Sequence, residues 1–131
     1  MIIDSNEVDK LAIPQIVDLI NKPFPNHLEE LRIINCKIHT PSLIILLQAL
    51  NENTYLKKLG LVNLNFSEMG IPLLIGVIKN NRYLKELDLS WNDLRPSNSK
   101  ELLDAIASNH TIQSLNLSWN NLLSKNSPKS E

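Results

Sequence analysis

The segment Leu84-Lys-Glu-Leu-Asp-Leu-Ser-Trp-Asn-Asp-Leu94 recurs in the chain at a period of 28 residues. The other copies begin at Leu28, Leu56 and Ile112. Together the copies give the pattern L-x-x-L-x-L-x-x-N/C-x-L, from which Leu64 departs at the ninth position. Self-similarity at such a period predicts stacked units, because one short unit cannot bury its own apolar face. The core is therefore expected to lie between neighbouring units.

Each unit is predicted to contain one strand followed by one helix. Leu87 and Leu89 alternate with polar residues, as in a strand with one buried face. Leu102 and Ile106 then follow helical spacing and form one apolar stripe. Residues 1–8 align with the strand half of a unit, so the chain opens inside a repeat. We therefore predict an α/β solenoid, a right-handed superhelix with about five parallel strands on its concave face and four helices on its convex face.

Polar residues at matching positions are expected to mark the helix ends. Ser and Thr are good helix N-caps, and Asn is common where a helix stops. The predicted N-caps are Thr40, Ser67 and Ser97, and the predicted helix stops are Asn53, Asn81 and Asn109.

Length and composition are typical of one small domain, since 131 residues with 43% hydrophobic content can bury a single core. The domain is predicted over residues 1–123. It has a partial first repeat at 1–27, repeats that begin at 28, 56 and 84, and a partial last repeat from 112. Residues 124–131 are polar and aperiodic, and we expect a disordered tail.

The charge and hydropathy of the chain argue against a nucleic-acid partner and a membrane partner. The formal net charge is −1 and no run of Lys or Arg occurs, so no nucleic-acid partner is expected. The longest apolar stretches are too short to span a bilayer, so no membrane partner is expected either. There is no secretion signal, and the single cysteine suits a reducing compartment. These features predict a cytoplasmic protein.

The repeats resemble the ribonuclease-inhibitor-like class of leucine-rich repeats, whose units are about 28 residues long with a convex α-helix. Proteins with similar repeats include ribonuclease inhibitors, tropomodulin, activators of the Ran GTPase, immune-receptor sensors and axonemal proteins. The sequence motif Leu-x-Leu-Ser-Trp-Asn-x-Leu, at 87–94 and 115–122, resembles repeats of ciliary and flagellar members, including a nexin-dynein regulatory complex subunit. The resemblance implies a protein-binding role and, through the ciliary members, a place in the cilium or axoneme.

The residues between the strand leucines are expected to face the concave side in rows. Both tryptophans fall at the strand exit, one repeat apart, where large aromatics are favoured interface anchors. The alternative is that they only seal the edge of the sheet. Gly60 leaves either a dip for a partner group or simply a tolerated glycine. The candidate protein-binding residues are Trp91, Trp119, Ile34, Val62, Arg32, Asp88, Asn116, Ser90 and Ser118.

Candidate chemistry is sparse. His27, His39 and His110 occupy different phases of the repeat, so no metal cluster is expected. Cys36 stands where other repeats have Asn, which favours a buried structural role over a reactive thiol. Glu30, Lys58 and Glu86 alternate in sign on adjacent strands, which is typical of a ladder of surface pairs. We predict no catalytic residue, no metal, no cofactor and no enzyme activity.

Three functional hypotheses follow. The leading one is a non-catalytic protein-interaction module or scaffold. A second is a subunit or fragment of a larger assembly, packed end-on against a partner chain or further repeats, because stacked arrays need their ends covered. A third is a regulator of a GTPase or another enzyme through the repeat surface, which rests on analogy with the fold.

Overall fold

The computed structural model describes residues 1–4, 7–8 and 12–123. The predicted tail at 124–131 lies outside these residues. In the described part, five strands form one parallel sheet and four helices form a second layer, as the sequence predicts. The elements in chain order are β1 Ile2–Asp4, β2 Glu7–Val8, α1 Ala12–Ile20, β3 Glu30–Ile34, β4 Lys37–Ile38, α2 Thr40–Glu52, β5 Lys58–Val62, α3 Gly70–Asn80, β6 Glu86–Asp88, α4 Pro96–Ser108 and β7 Ser114–Asn116.

The sheet follows the sequence repeat strand by strand. Its order is β1-β3-β5-β6-β7, and a separate two-stranded sheet pairs β2 with β4. Ile2, Arg32, Gly60, Asp88 and Asn116 are successive partners in the register. Each partner stands one repeat from the next, so equivalent residues lie side by side across the sheet. The predicted rows are confirmed for these strands.

The core is a stack of leucine and isoleucine side chains between the two layers. Leu31, Leu59 and Leu87 from the strands are at most 2% exposed. Leu46 and Leu74 from the helices are fully buried against them. Complete burial of one such side chain stabilises the fold by about 1.5–3 kcal/mol. Successive helices also pack on one another, α1 on α2, α2 on α3 and α3 on α4. Among the described residues, no helix has the length and apolar character needed to cross a membrane.

The predicted helix N-caps are wrong by one or two residues, since the capping positions are His39, Met69 and Arg95. Thr40 is the first residue of α2, and the capping position falls on His39. Ser67 lies in a turn before α3, where its carbonyl accepts a hydrogen bond from the Gly70 N–H at 2.9 Å. Ser97 lies inside α4, which begins at Pro96. Proline has the helical φ already and needs no N–H in the first turn, so it starts the helix earlier than the Ser pattern indicates.

The predicted helix stops are confirmed, and their side chains also join the repeats. Asn81 is 3% exposed, and its Oδ1 accepts hydrogen bonds from the N–H groups of Tyr83 and Leu84 at 2.8 and 2.9 Å. Its Nδ2 donates to the carbonyl of Asn53 in the preceding repeat at 3.3 Å. Asn109 bonds to the carbonyl of Asn81 in the same way at 2.8 Å. These buried amides therefore form a ladder along the stack.

A second set of buried groups occupies the ninth position of the repeat. Asn92 is 1% exposed, and its Oδ1 accepts the N–H of Leu64 at 2.8 Å. Cys36 is 3% exposed, and its thiol donates to the carbonyl of Ile34 at 3.2 Å, as expected of a structural cysteine. The departure at Leu64 is accommodated because Asn92 satisfies its backbone. The amide of Asn63 is used elsewhere, on the side chain of Asn35 at 2.8 Å.

Candidate interaction surface

The two tryptophans form a stacked pair on the surface. The ring centroids of Trp91 and Trp119 are 4.6 Å apart and the ring planes are inclined by 14°. Trp91 is 51% exposed and Trp119 is 70% exposed. The register of β6 and β7 brings the two residues side by side, because each follows its strand at the same interval. The pair therefore presents a flat aromatic surface to solvent.

The backbone at both tryptophans is left-handed, which is unusual for a large side chain. Their φ angles are 63° and 59°. Asn35 and Asn63 occupy the same position in earlier repeats, with φ of 55° and 53°. Asn tolerates this conformation, whereas most L-residues lose about 1–2 kcal/mol in it. The stacking contact stabilises the fold by about 0.5–1.5 kcal/mol. This gain offsets the cost of the left-handed backbone at one of the two tryptophans. Local stability therefore does not by itself explain why indoles replace Asn here.

These four residues form one line, which we call the strand-exit row: Asn35, Asn63, Trp91 and Trp119. Asn63 Nδ2 donates to Asn35 Oδ1 at 2.8 Å, and Asn35 Nδ2 donates to Asp4 Oδ1 at 3.3 Å. Half of the row is thus an amide ladder and half is a stacked indole pair. The ladder was not predicted from the sequence, although Asn at the same position of two consecutive repeats was its signal. A groove of about 410 Å³ borders the amide half, between the loops that hold Asn35 and Asn63.

The space above Gly60, for which the sequence left two readings, is filled by Arg32. The Arg32 guanidinium crosses Gly60, and its Nη2 lies 3.0 Å from Asp88 Oδ2. A Cβ at Gly60 would come within 3.1 Å of Arg32 Cζ, so glycine leaves the space through which this side chain passes. Of the two readings that the sequence left open for Gly60, the open dip for a partner group is therefore wrong, because an internal ion pair takes the space first.

Ser90, two positions after Asp88, also hydrogen-bonds the Asp88 carboxylate. Asp88 Oδ1 accepts hydrogen bonds from the Ser90 N–H at 3.0 Å and the Ser90 hydroxyl at 2.7 Å. Burial raises the pKa of Asp88, but the hydrogen bonds from Ser90 and Arg32 outweigh it and hold the pKa below 3.8. Asn116 and Ser118 repeat the same arrangement one unit later, at 3.0 and 2.6 Å. The same turn is therefore built once with a carboxylate and once with a neutral amide.

The remaining candidates differ in how much surface they offer. Asn116 and Ser118 are exposed, and Ile34 is half-buried. Val62 and Ser90 were expected on the open face, but only 8% and 5% of their surfaces are accessible. That expectation of exposure is wrong, because Val62 lies on β5 between β3 and β6, and Ser90 lies in the turn after β6 with its N–H and hydroxyl bonded to Asp88. Val62 therefore adds little apolar surface beside the half-buried Ile34.

Charged and aromatic groups also line the opposite edge, where the strands begin. Lys58 Nζ lies 3.8 Å from Glu86 Oε2, so one pair of the predicted ladder is present. The His27 ring stacks between Phe24 and Tyr55, with centroids at 5.5 and 4.8 Å. His27 Nε2 also lies 3.3 Å from Glu29, and this hydrogen bond and Lys57 lower the pKa of Glu29. Over the described ranges, no three His, Cys, Asp or Glu side chains converge as a metal site would require.

Comparisons with known proteins agree with this geometry. The family model described as "Leucine Rich repeat" matches residues 80–97 and 108–125, the two segments that contain the tryptophans. A search of curated proteins finds no match. Among solved structures, the tropomodulin C-terminal domain of Caenorhabditis elegans has a TM-score of 0.71 at 20% identity. That match covers 82% of this chain and 65% of the tropomodulin chain.

A second similar structure is that of leiomodin-1 actin-binding site 2. Its TM-score is 0.56 at 21% identity, and the match covers 67% of this chain and 52% of that one. The chain therefore spans less than two thirds of either relative. The fold is of the leucine-rich-repeat type, and the matches support a leucine-rich-repeat family.

Proposed function

We propose that this protein is a non-catalytic interaction module that docks a partner protein on its strand-exit row, with Trp91 and Trp119 as the anchor. The stacked, exposed indole pair carries this proposal. Aromatic anchors dominate binding energy at protein interfaces, because they bury a large area with few rotatable bonds. Exposed polar groups of the last repeat, Asn116 and Ser118, lie on the neighbouring positions and would form part of the polar rim.

The row also offers two kinds of contact to one ligand. The amide half can hydrogen-bond a partner backbone, and the indole half can cover an apolar or cationic side chain. The groove beside Asn35 and Asn63 extends the same surface. An extended segment of a partner protein would meet the indoles at one end and the amides at the other.

The proposed partner is a component of the actin cytoskeleton in the cytoplasm. The support is the likeness to the leiomodin-1 structure, an actin-binding site built on a similar fold. Assignment to the ribonuclease-inhibitor-like subclass is part of the same proposal, supported by the 28-residue period and a helix in each full repeat.

Co-sedimentation with actin filaments tests this proposal. The informative variant is Trp91→Asn with Trp119→Asn, because Asn is the residue that the same backbone position carries in two earlier repeats. We expect the wild-type chain to pellet with filaments and the double variant to stay in the supernatant. Tyr83→Asn is the matched control, since Tyr83 is 49% exposed on the opposite edge. Equal pelleting of all three proteins, or of none, would contradict the proposal for actin.

Two alternatives rest on sequence resemblance alone. Regulation of a GTPase predicts that the chain changes the rate of phosphate release when it is mixed with small GTPases. An axonemal location predicts that the chain co-purifies with microtubule-based assemblies rather than with actin. Both readouts are independent of filament pelleting. Together, the three experiments distinguish actin binding, GTPase regulation and an axonemal location.

A further inference from the structure

A groove lies between α3 and α4, on the solvent side of the helix layer. Its cavity has a volume of about 480 Å³, and the residues that line it are Ile75, Lys79, Glu101, Asp104, Ala105 and Ser108. The floor is apolar, since Ile75 is half-buried and Ala105 is 3% exposed. A second cavity of about 460 Å³ also touches Glu101 and continues the groove toward the loops that precede the two helices. We call this surface the helix groove.

Two carboxylates on α4 distinguish the helix groove from the equivalent groove one repeat earlier. Glu101 and Asp104 stand where the preceding repeat has Leu73 and Gly76. The cavity between α2 and α3, which Leu73 and Gly76 line, has a volume of about 200 Å³. The repeat pattern therefore does not require a carboxylate at either position, and the larger groove is the one that has both.

The structure around these two carboxylates does not account for them. α4 has no acidic residue in its first turn, where the helix dipole stabilises negative charge, and both Glu101 and Asp104 follow that turn. Among the residues that the structure describes, neither takes part in an ion pair, although Lys100 lies one turn before Asp104. Lys79 on the opposite wall makes no ion pair with any described residue either. These three charges are therefore available to a partner.

The charge of the groove selects the sign of its partner. In the first cavity, two carboxylates outnumber the single ammonium group of Lys79. In the second cavity, Glu68 adds a negative charge, while Arg95 and Asp93 form an ion pair at 3.1 Å and neutralise each other. A basic partner therefore complements the groove, and an acidic partner does not.

The walls of the groove select the secondary structure of its partner. Both walls are helices, whose backbone N–H and carbonyl groups are bonded within each helix. An extended segment would leave the backbone groups on its inner side unpaired, whereas an α-helix satisfies its own. Apolar side chains at helical spacing also fit a groove between two helices.

We propose that the helix groove binds an amphipathic helix of a partner protein, one that carries Lys or Arg beside its apolar face. The apolar side chains of that helix cover Ile75 and Ala105, and its basic side chains pair with Glu101 and Asp104. The groove lies between two described repeats, so further repeats at either end of the stack would not fill it. It is also separate from the strand-exit row, and it gives the protein a second binding surface.

Fluorescence anisotropy with a labelled synthetic helix tests this inference on the full chain. The probe is a Leu/Lys peptide of about four helical turns, with Leu at the i, i+3, i+4 and i+7 positions and Lys beside them. Its counterpart has Glu in place of every Lys. We expect the Leu/Lys peptide to bind, and the Leu/Glu peptide to bind about tenfold more weakly, because Glu brings like charges to Glu101 and Asp104.

Charge reversal in the groove identifies the site. Glu101→Lys with Asp104→Lys is expected to weaken binding of the Leu/Lys peptide about tenfold. The matched control is Asp18→Lys with Glu52→Lys, which changes the net charge equally at exposed positions on α1 and α2. This control should bind as the wild type does. Lys79→Glu should bind more tightly, since it removes the opposing charge, and circular dichroism should be unchanged in every variant.

Failure of the Leu/Lys peptide to bind would overturn the inference. So would equal weakening by the two double variants, or equal binding of the two peptides. Sedimentation of the chain alone tests another occupant, because self-association that the groove reversal abolishes would assign the groove to a second copy instead. Since no actin is present, each outcome is independent of the tryptophan proposal.

Discussion

Arg32 and Asp88 are joined by a salt bridge of 3.0 Å although their strands are not neighbours in the sheet. Arg32 lies on β3 and Asp88 on β6, and β5 runs between them. The bridge passes over Gly60 of β5, the residue in register with both. One ion pair thereby connects three repeats. It depends on Gly60, because the absence of a side chain there leaves room for Arg32 to reach Asp88.

Gly60→Ala is expected to be less favourable in the wild type than in an Arg32→Ala background. The new Cβ would lie 3.1 Å from the guanidinium, so the bridge must shift. Without Arg32, the methyl group has space and the unfolded chain loses freedom, which stabilises the fold by about 0.4–1 kcal/mol. Urea denaturation of the four proteins in this double-mutant cycle measures the coupling, which we expect to be about 0.5–1 kcal/mol. A coupling of zero would mean that the bridge moves aside without loss.

Acid destabilisation is expected to depend on Asp88. Its pKa in the folded state lies below the ordinary value of 3.8, so its charge stabilises the fold above that value. This contribution is lost as the pH falls through the folded-state pKa. We expect Asp88→Asn to flatten the fall in stability below pH 3.8 and to leave its slope near neutral pH unchanged. Thermal melts across this acid range measure the effect.

Arg32→Ala separates the two sources of the lowered pKa. The hydrogen bonds from Ser90 remain in this variant, so part of the acid dependence should persist. Asn116 shows that a neutral amide fits the same turn, which argues that Asp88→Asn will fold. A variant Asp88→Asn with the wild-type acid profile would show that other carboxylates govern acid unfolding.

Asn81→Ala is expected to lower the free energy of unfolding by about 3 kcal/mol, because it leaves one buried and one part-buried N–H group without an acceptor. The two N–H groups belong to Tyr83 and Leu84. The adjacent Asn80→Ala is the control, since Asn80 is exposed and should change stability by less than about 0.5 kcal/mol. Chemical denaturation measures both. A similar loss in the free energy of unfolding for both variants would mean that the buried amide ladder does not stabilise these turns.

The indole stack predicts a coupled signal in circular dichroism. Two rings at 4.6 Å interact electronically, and removing either one should abolish the couplet. Trp91→Asn and Trp119→Asn should therefore each give the same loss. Their stabilities should stay within about 1 kcal/mol of the wild type, because lost stacking is offset by relief at the left-handed backbone. A much larger loss in stability would favour the alternative that the indoles only seal the sheet edge.

The repeat period predicted the fold in detail because it fixes the strand, the helix and the alignment of each repeat with its neighbours. Leu87 and Leu89 recur at intervals that fix both the strand face and the register, so the rows of equivalent residues could be written from the sequence. The exposure of Trp91 and Trp119 followed from the same register. Helix starts were predicted less well, since Pro96 and the turn at Ser67 shift them in ways that one polar residue does not reveal.

The sequence by itself determined the strand and helix order, the sheet register, the leucine core and the surface position of both tryptophans. Local spacing is sufficient for these features, because each repeat must match its neighbours to bury its apolar face. Only the tertiary structure decided that Arg32 fills the space above Gly60, that Val62 and Ser90 are covered, and that Asn81 serves two repeats at once. These features depend on side-chain paths between repeats, and such paths are set by distances across the stack rather than by position along the chain.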